Sequence, residues 1–356
     1  MAFNLQNIFF RLSLKEKMLF ARHMQLMIHS GMQILQGLEM LKKQTKSRSF
    51  IKILDQMISD VKNGHFLASS LERYTNVFGE FFINLIRVGE SSGTLSENLV
   101  YLGEELKKKD ELNKRIRGAM VYPIIILVAT MGITSILSFF IFPKILPVLK
   151  NIGVPLPMLT IWFINISDFM VSYGIYVMIG MVLGIISFWL LVKIYPIRLV
   201  WHKFVLKIPI VGSMVMTVNV ISFSRTMGLL LKAGIKIVEA LEITSRTLPN
   251  LVYKNYIVLI SEGVKRGDPM SKYLLERPDL FPMIMSQMLV VGETTGKLEE
   301  SLLFLANFYE GEMDDITKTL SNFLEPSLLL LMGLIVGFVA LAIIAPIYKI
   351  TQNLGR

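Results

Sequence analysis

The sequence predicts an all-α protein with two homologous cytoplasmic helical-bundle domains, about six helices each, and three transmembrane helices. Three observations predict it. Long uncharged apolar runs interrupt an otherwise charged chain, one block of sequence recurs at a fixed offset, and the remaining apolar residues follow helical spacing with little β-type alternation.

Of the 356 residues, 53% are hydrophobic and 18% charged, against roughly 25% charged in a typical soluble domain. The deficit is concentrated. There are 26 uncharged residues between Arg117 and Lys144, 24 between Asp168 and Lys193, and 23 between Glu325 and Lys349. A bilayer crossing takes about 20 apolar residues. Transmembrane helices are therefore assigned to 119–142, 169–195 and 325–348, which excludes an ordinary soluble enzyme. Met1–Phe10 is short and is followed by charged amphipathic sequence, so insertion is expected through the internal spans rather than a secretory signal. With no cysteine, a disulfide framework, a thiolate metal site and a cysteine nucleophile are excluded.

The net charge is +10. Lys107, Lys108, Lys109, Lys114, Arg115 and Arg117 precede the first run, and Lys193, Arg198, Lys203 and Lys207 follow the second. Between those two runs stand only Lys144 and Lys150. Cytoplasmic loops carry the excess of Lys and Arg. Domains 1–118 and 196–324 are thus expected in the cytoplasm, with a short extracytoplasmic loop at 143–168 and an extracytoplasmic tail at 349–356. Trp162 fits an interfacial anchor, although the apolar stretch around it also suits an early part of span two. The basic belt suits membrane lipid. No recognition motif or aromatic platform accompanies it, so nucleic acid is not expected as a partner.

The repeat has an offset of 203 residues. Phe20-Ala-Arg-His-Met aligns with Phe223-Ser-Arg-Thr-Met, and Val88-Gly-Glu-Ser-Ser-Gly-Thr-Leu95 with Val291-Gly-Glu-Thr-Thr-Gly-Lys-Leu298. The register holds without a gap from residue 20 to residue 143, pairing Pro123 with Pro326 at the start of a span and Pro143 with Pro346 at its end. Each copy is a soluble domain followed by a span. Two homologous domains on one side of a bilayer need a single return crossing, and span two supplies it.

Within copy 1, Ser13-Leu-Lys-Glu16 reads as a capping box opening a helix that buries Phe20, Ala21, Met24, Met27 and Ile28 and ends at Gly31, matched by Gly234. Further helices are expected at 34–43, 50–62, 67–73 and 80–89, and from Leu95 toward span one with a break near Pro123. A hairpin turning at Ser30–Gly31 sets Arg22 opposite Glu39, and Arg225 opposite Glu242, as structural ion pairs. Gly89, Gly93, Gly292 and Gly296 read as helix–turn–helix joints, glycine giving the unusual backbone angles and the hydroxyl residues the N-caps. Glu90 and Glu293 within these joints are weak metal candidates and otherwise structural.

No Walker A sequence, H-E-x-x-H or G-x-S-x-G is present, and the four histidines lack ligand spacing. No catalytic residue, cofactor site or metal site is assigned, and the chain is read as not an enzyme. The alternative is a multi-pass small-solute transporter or channel subunit, which should carry charged groups at mid-membrane. The spans offer only Thr, Ser and Gly there.

In Phe20-x-Arg…Ser30-Gly31 and its repeat, the two Gly-Glu-x-x-Gly-x-Leu segments, the proline-containing starts of spans one and three, and Leu156-Pro-Met-Leu-Thr160, the chain resembles the GspF/PilC family. These are the inner-membrane platform proteins of type II secretion and type IV pilus assembly. The resemblance runs from about residue 13 to 348. It implies a non-enzymatic, homo-oligomeric platform in the bacterial inner membrane. The implied partners are a cytoplasmic hexameric ATPase, prepilin or pseudopilin helices and other assembly-platform proteins.

Overall fold

A computed structural model describes residues 11–136 and 158–354. Pro143, the part of the expected loop before Met158 and the last two residues of the tail lie outside the described residues. Among the described residues the regular elements are all helices. Copy 1 comprises α1 (Leu14–His29), α2 (Ile34–Gln44), α3 (Arg48–Lys62), α4 (Leu67–Glu72), α5 (Thr75–Phe78), α6 (Glu80–Ser92) and the start of α7 (Leu95–Ile136). Two connecting helices follow, α8 (Met158–Leu191) and α9 (Tyr195–Lys207). Copy 2 comprises α10 (Val211–Lys232), α11 (Ile237–Thr247), α12 (Leu251–Lys265), α13 (Met270–Leu275), α14 (Met283–Thr295) and the start of α15 (Leu298–Leu354).

Several boundaries have a local cause. The capping box opens α1: the Ser13 N–H donates to Glu16 Oε2 at 2.6 Å and the Glu16 N–H donates to Ser13 Oγ at 3.2 Å. Ser47 Oγ caps α3, and Asn250 Oδ1 accepts from the Val252 N–H at the start of α12. α1 and α10 end before Gly31 and Gly234, which sit at φ +80° and +86°. The helix α5 was not foreseen. It is a single turn that buries Val77 and Phe78.

The copy 1 core is a cluster of rings. Phe20 packs on Phe50, Phe78 and Phe82 with centroids 6.3, 5.8 and 5.9 Å away. In copy 2, Phe223 and Tyr253 pack on Phe281 at 6.2 and 5.5 Å, and the Tyr253 hydroxyl donates to the Leu280 carbonyl at 2.6 Å. Burying one such ring stabilises the fold by about 1.5–3 kcal/mol.

The joints are built differently from the expectation. Gly93 and Gly296 take the left-handed conformation at φ +77° and +70°. Gly89 and Gly292 lie inside α6 and α14, where close approach is the constraint. A Cβ at Gly89 would stand 2.7 Å from Leu95 Cα, and one at Gly292 would stand 2.8 Å from Ser301 Oγ. The following helix folds back against that bare backbone. The hydroxyl residues do not act as N-caps. Ser92 and Thr295 donate to the Val88 and Val291 carbonyls of the last helical turn, at 2.7 and 2.8 Å.

The long helices also correct two expectations. α7 runs through Pro123 without a break, since a proline removes one backbone bond while its neighbours carry the helix on. α15 likewise runs through Pro326 and Pro346. α8 begins at Met158, so residues 158–168, assigned to the loop, are helical. Nothing between Pro157 and Asp168 breaks a helix, and one aspartate does not end it. Among the described residues four helices are long and apolar enough to cross a membrane, lying in Leu95–Ile136, Ser172–Leu191, Val211–Lys232 and Leu298–Phe338. The third, α10, has 67% of its apolar window buried within the helical copies, whereas Ser172–Leu191 has none. Its hydrophobicity is that of a core helix.

The chain divides into two compact units. Met1–Arg115 with His202–Ile316 holds both helical copies, and Ile116–Trp201 with Thr317–Arg356 holds the apolar lengths of α7, α8 and α15. In the second unit large apolar side chains such as Ile125, Val128, Leu183, Trp189 and Leu330 are exposed. A surface of that kind suits hydrocarbon rather than water.

Gly89→Ala is expected to destabilise the chain by about 1–3 kcal/mol through overpacking. Gly118→Ala, with open space around its Cβ on α7, is expected to be neutral or to stabilise by up to about 1 kcal/mol. Thermal unfolding of the full-length chain in detergent separates the two.

Candidate functional site at the seam between the repeats

Glu90 and Glu293 do the same work in the two copies. The Leu67 and Ala68 N–H groups donate to the two carboxylate oxygens of Glu90 at 2.6 and 2.7 Å. The Met270 and Ser271 N–H groups donate to those of Glu293 at 2.6 and 3.2 Å, and the Ser271 hydroxyl adds a further bond. Each carboxylate thus caps the short helix, α4 or α13, that lies across the bundle. The N-terminal donors of those helices have no side-chain cap of their own. Burial raises the pKa of Glu90, and the two backbone bonds oppose that rise. Both oxygens of each carboxylate accept backbone bonds, so in this arrangement the two glutamates act as helix caps. Among the described residues no group of three or more His, Asp or Glu gathers as a metal site.

The ion pairs placed within each hairpin form elsewhere. Glu39 pairs with Lys62 of α3 at 2.9 Å, and Glu242 pairs with Lys265 of α12 at 2.5 Å. The repeat thus keeps a carboxylate–lysine pair between its second and third helices. Arg22 is exposed on α1, its Cγ beside Gly103 of α7. Arg225 is buried and faces the other copy. Its Nη2 donates to Glu310 Oε1 at 2.5 Å and to Asn307 Oδ1 at 2.9 Å, and its Nε lies 3.6 Å from Glu105 Oε2 of α7. Lys108 closes the group, donating to Asn307 at 2.6 Å and to Glu310 at 3.3 Å. The hairpin argument failed because it considered two helices alone. The guanidinium meets Glu310 from α15 of its own copy and Glu105 from α7 of the other.

The same seam holds a cleft of about 560 Å³. Phe78, Phe82, Leu106 and Ile221 form apolar wall, and Lys17, Glu80, Lys109 and Arg246 stand around it. Arg246 Nη1 donates to both oxygens of Glu80 at 3.0 Å, tying α11 of copy 2 to α6 of copy 1. Lys17 donates to the Val77 carbonyl. Burial lowers its pKa, and the charge of Lys109 lowers it further. Glu105, 18% exposed, is pushed up to about 7 by burial, with Glu310 adding to the rise and Arg225 and Lys109 opposing it. The chemistry here is charge pairing across a module boundary. The groups link the two bundles, and burial holds the Glu105 carboxyl above the ordinary carboxylate range.

The family described as type II secretion system (T2SS), protein F, matches the chain twice, over residues 20–143 and 223–346. The chain belongs to the type II secretion system protein F family. The matched blocks start and end 203 residues apart, in the register of the repeat. This family member is 33% identical over 342 residues to the type IV pilus assembly protein PilC of Thermus thermophilus, covering 96% of this chain and 84% of that one. It is 29% identical over 340 residues to PilC of Pseudomonas aeruginosa, covering 95% and 90%. It is 28% identical over 344 residues to the type II secretion system protein F of the same organism, covering 97% and 85%.

For this protein F family member the sequence located the Gly-Glu joints but missed the Arg225 cluster. One signal was present. Arg225 is a lone charge in the apolar helix Val211–Lys232 before its last residue, and a buried charge requires a partner.

Two outcomes follow for the site. Glu90→Ala bares two donors and is expected to destabilise copy 1 by roughly 1–3 kcal/mol for each, read by chemical unfolding in detergent. Glu105 has its folded pKa raised, so its contribution is most favourable below the ordinary carboxylate range and is lost as pH rises through about 7. Stability should therefore fall over that window by something of the order of 3 kcal/mol. Glu105→Gln should flatten the profile, as measured by unfolding between pH 4.5 and 8.

Proposed function

We propose that this chain is a non-enzymatic platform protein of the bacterial inner membrane, in a type IV pilus assembly or type II secretion machine. The observation that carries the reading is the duplicated family domain. Each copy continues as one unbroken helix, α7 or α15, into an apolar length suited to a bilayer. A displacement applied to a bundle passes along such a helix without a joint to absorb it. In this reading a cytoplasmic hexameric ATPase acts on the bundles, and α7, α8 and α15 carry the motion to prepilin or pseudopilin helices in the bilayer. The relatives named for pilus assembly and for secretion support both settings.

The proposed topology has the N-terminus and both helical copies in the cytoplasm and the C-terminus outside, with α10 kept in the bundle and not in the membrane. The chain has no cysteine, so single cysteines report sidedness directly. An impermeant maleimide on intact cells is expected to label Asn151→Cys and to spare Lys265→Cys. Labelling of Lys265→Cys with sparing of Asn151→Cys would overturn the topology. Loss of the gene should abolish surface fibres or secretion, and the purified chain should hydrolyse no ATP. Normal fibres and secretion in the deletion strain would remove the platform role.

A further inference from the structure

The seam joins unlike faces. Copy 1 contributes α6 and α7, and copy 2 contributes α10 and α11 together with the start of α15. Were the pairing two-fold, α14 and α15 of copy 2 would cover α1 and α2 of copy 1 in the same way. They do not, and the repeat register shows it position by position. Leu229, Ile243 and Arg225 are buried at 7%, 5% and 5% exposure. Their counterparts Leu26 and Met40 are 59% and 43% exposed, and Arg22 is exposed as well. The opposite face tells the same story. Glu80, Phe81, Tyr101 and Glu105 of copy 1 are partly covered. Met283, Ile284, Phe304 and Phe308 stand at the same positions of copy 2, all four exposed.

A heterologous pairing of two like modules leaves one unused face at each end. Here the unused faces are complementary to each other by descent, because each repeats a face already engaged in the seam. We propose that α14 and α15 of one chain dock on α1 and α2 of a second copy of this chain, repeating between chains the seam that joins the repeats within one. The offset names the contacts. Glu80 with Arg246 becomes Met283 with Lys43 of the second copy. Glu105 with Arg225 becomes Phe308 with Arg22. The Lys232 ammonium over the Tyr101 ring, 4.7 Å from its centroid, becomes His29 over Phe304.

The chemistry of the exchange is consistent. Two carboxylates of the internal seam are replaced by apolar side chains, and a ring beneath a guanidinium takes the place of an ion pair. Four exposed apolar side chains on a helical bundle are a surface that association covers. Such a contact propagates from chain to chain, giving a ring where the rotation closes and an open filament where it does not. The inference gives the expected homo-oligomer a surface and does not rest on the platform reading, since assembly is measured without a pilus or secretion phenotype.

The test uses the full-length chain in its membrane. Two differently tagged copies, one Met283→Cys and the other Lys43→Cys, are co-expressed and treated with a short bis-maleimide. A cross-linked dimer carrying both tags is expected, while each variant expressed alone gives no dimer. A Met283→Cys chain that links to itself, or the absence of a two-tag product, overturns the proposal. As a second measurement, Phe308→Glu is expected to lower the light-scattering mass of the detergent-solubilised protein with the helical circular dichroism retained. Leu259→Glu, on the exposed side of α12, is expected to leave the mass unchanged. Equal masses for the parent and Phe308→Glu would refute the docking face.

Discussion

The guanidinium of Arg225 lies almost wholly out of solvent, and every anion within its reach comes from a helix that ends a copy. Glu310 and Asn307 belong to α15, and Glu105 belongs to α7. A buried charge left without partners costs several kcal/mol; Glu310 pairs with this one inside copy 2, and Glu105 adds a carboxylate from copy 1. The approach of α7 brings Glu105, and Lys108 follows on the same helix to bridge Asn307 and Glu310. One basic side chain thereby gathers the long helices of both repeats at one place. Around it, Arg246 with Glu80 and Arg115 with Asp314 add links between the copies. These are partly exposed and contribute little individually.

Inside each copy a different polar device recurs. A carboxylate near the end of the helix before the joint reaches across to cap the short fourth helix, through Glu90 of α6 in copy 1 and Glu293 of α14 in copy 2. A helix of six residues has four N-terminal donors to satisfy and few residues with which to do it. The glutamate satisfies two of them at once. The preceding glycine makes this possible, since the bare backbone at Gly89 or Gly292 lets the next helix fold back close to the joint. The Gly-Glu pair is thus a single packing unit, one residue for approach and the next for capping.

The same duplicated module also has unequal surroundings in its two places. Met24 and Met227 are equivalent and both buried, because the core of each bundle is its own. Leu26 and Leu229 are equivalent and differ sharply in exposure, at 59% and 7%. Identity of fold therefore does not give identity of surface. The differences trace the seam, and they leave apolar faces at its two free ends.

By itself the sequence determined the helical class, the repeat and its offset, the three apolar lengths and the buried face of α1. All of these are written in local period and composition, as in Phe20, Met24 and Met27 along one face of α1. It also determined the capping box at Ser13 and the turn at Gly31, whose partners lie within a few residues. The tertiary structure alone decided what the charges of the repeat do. Glu39 and Arg22 have no mutual contact to make once Lys62 is nearer to the glutamate. Glu90 finds its donors 22 and 23 residues away, and Arg225 finds Glu105 on the other copy. It also decided that α10, as apolar as a span by composition, is a core helix. Local spacing specifies which side of a helix is apolar. Which element comes to cover that side, or to satisfy a charge upon it, depends on contacts between segments far apart in the chain.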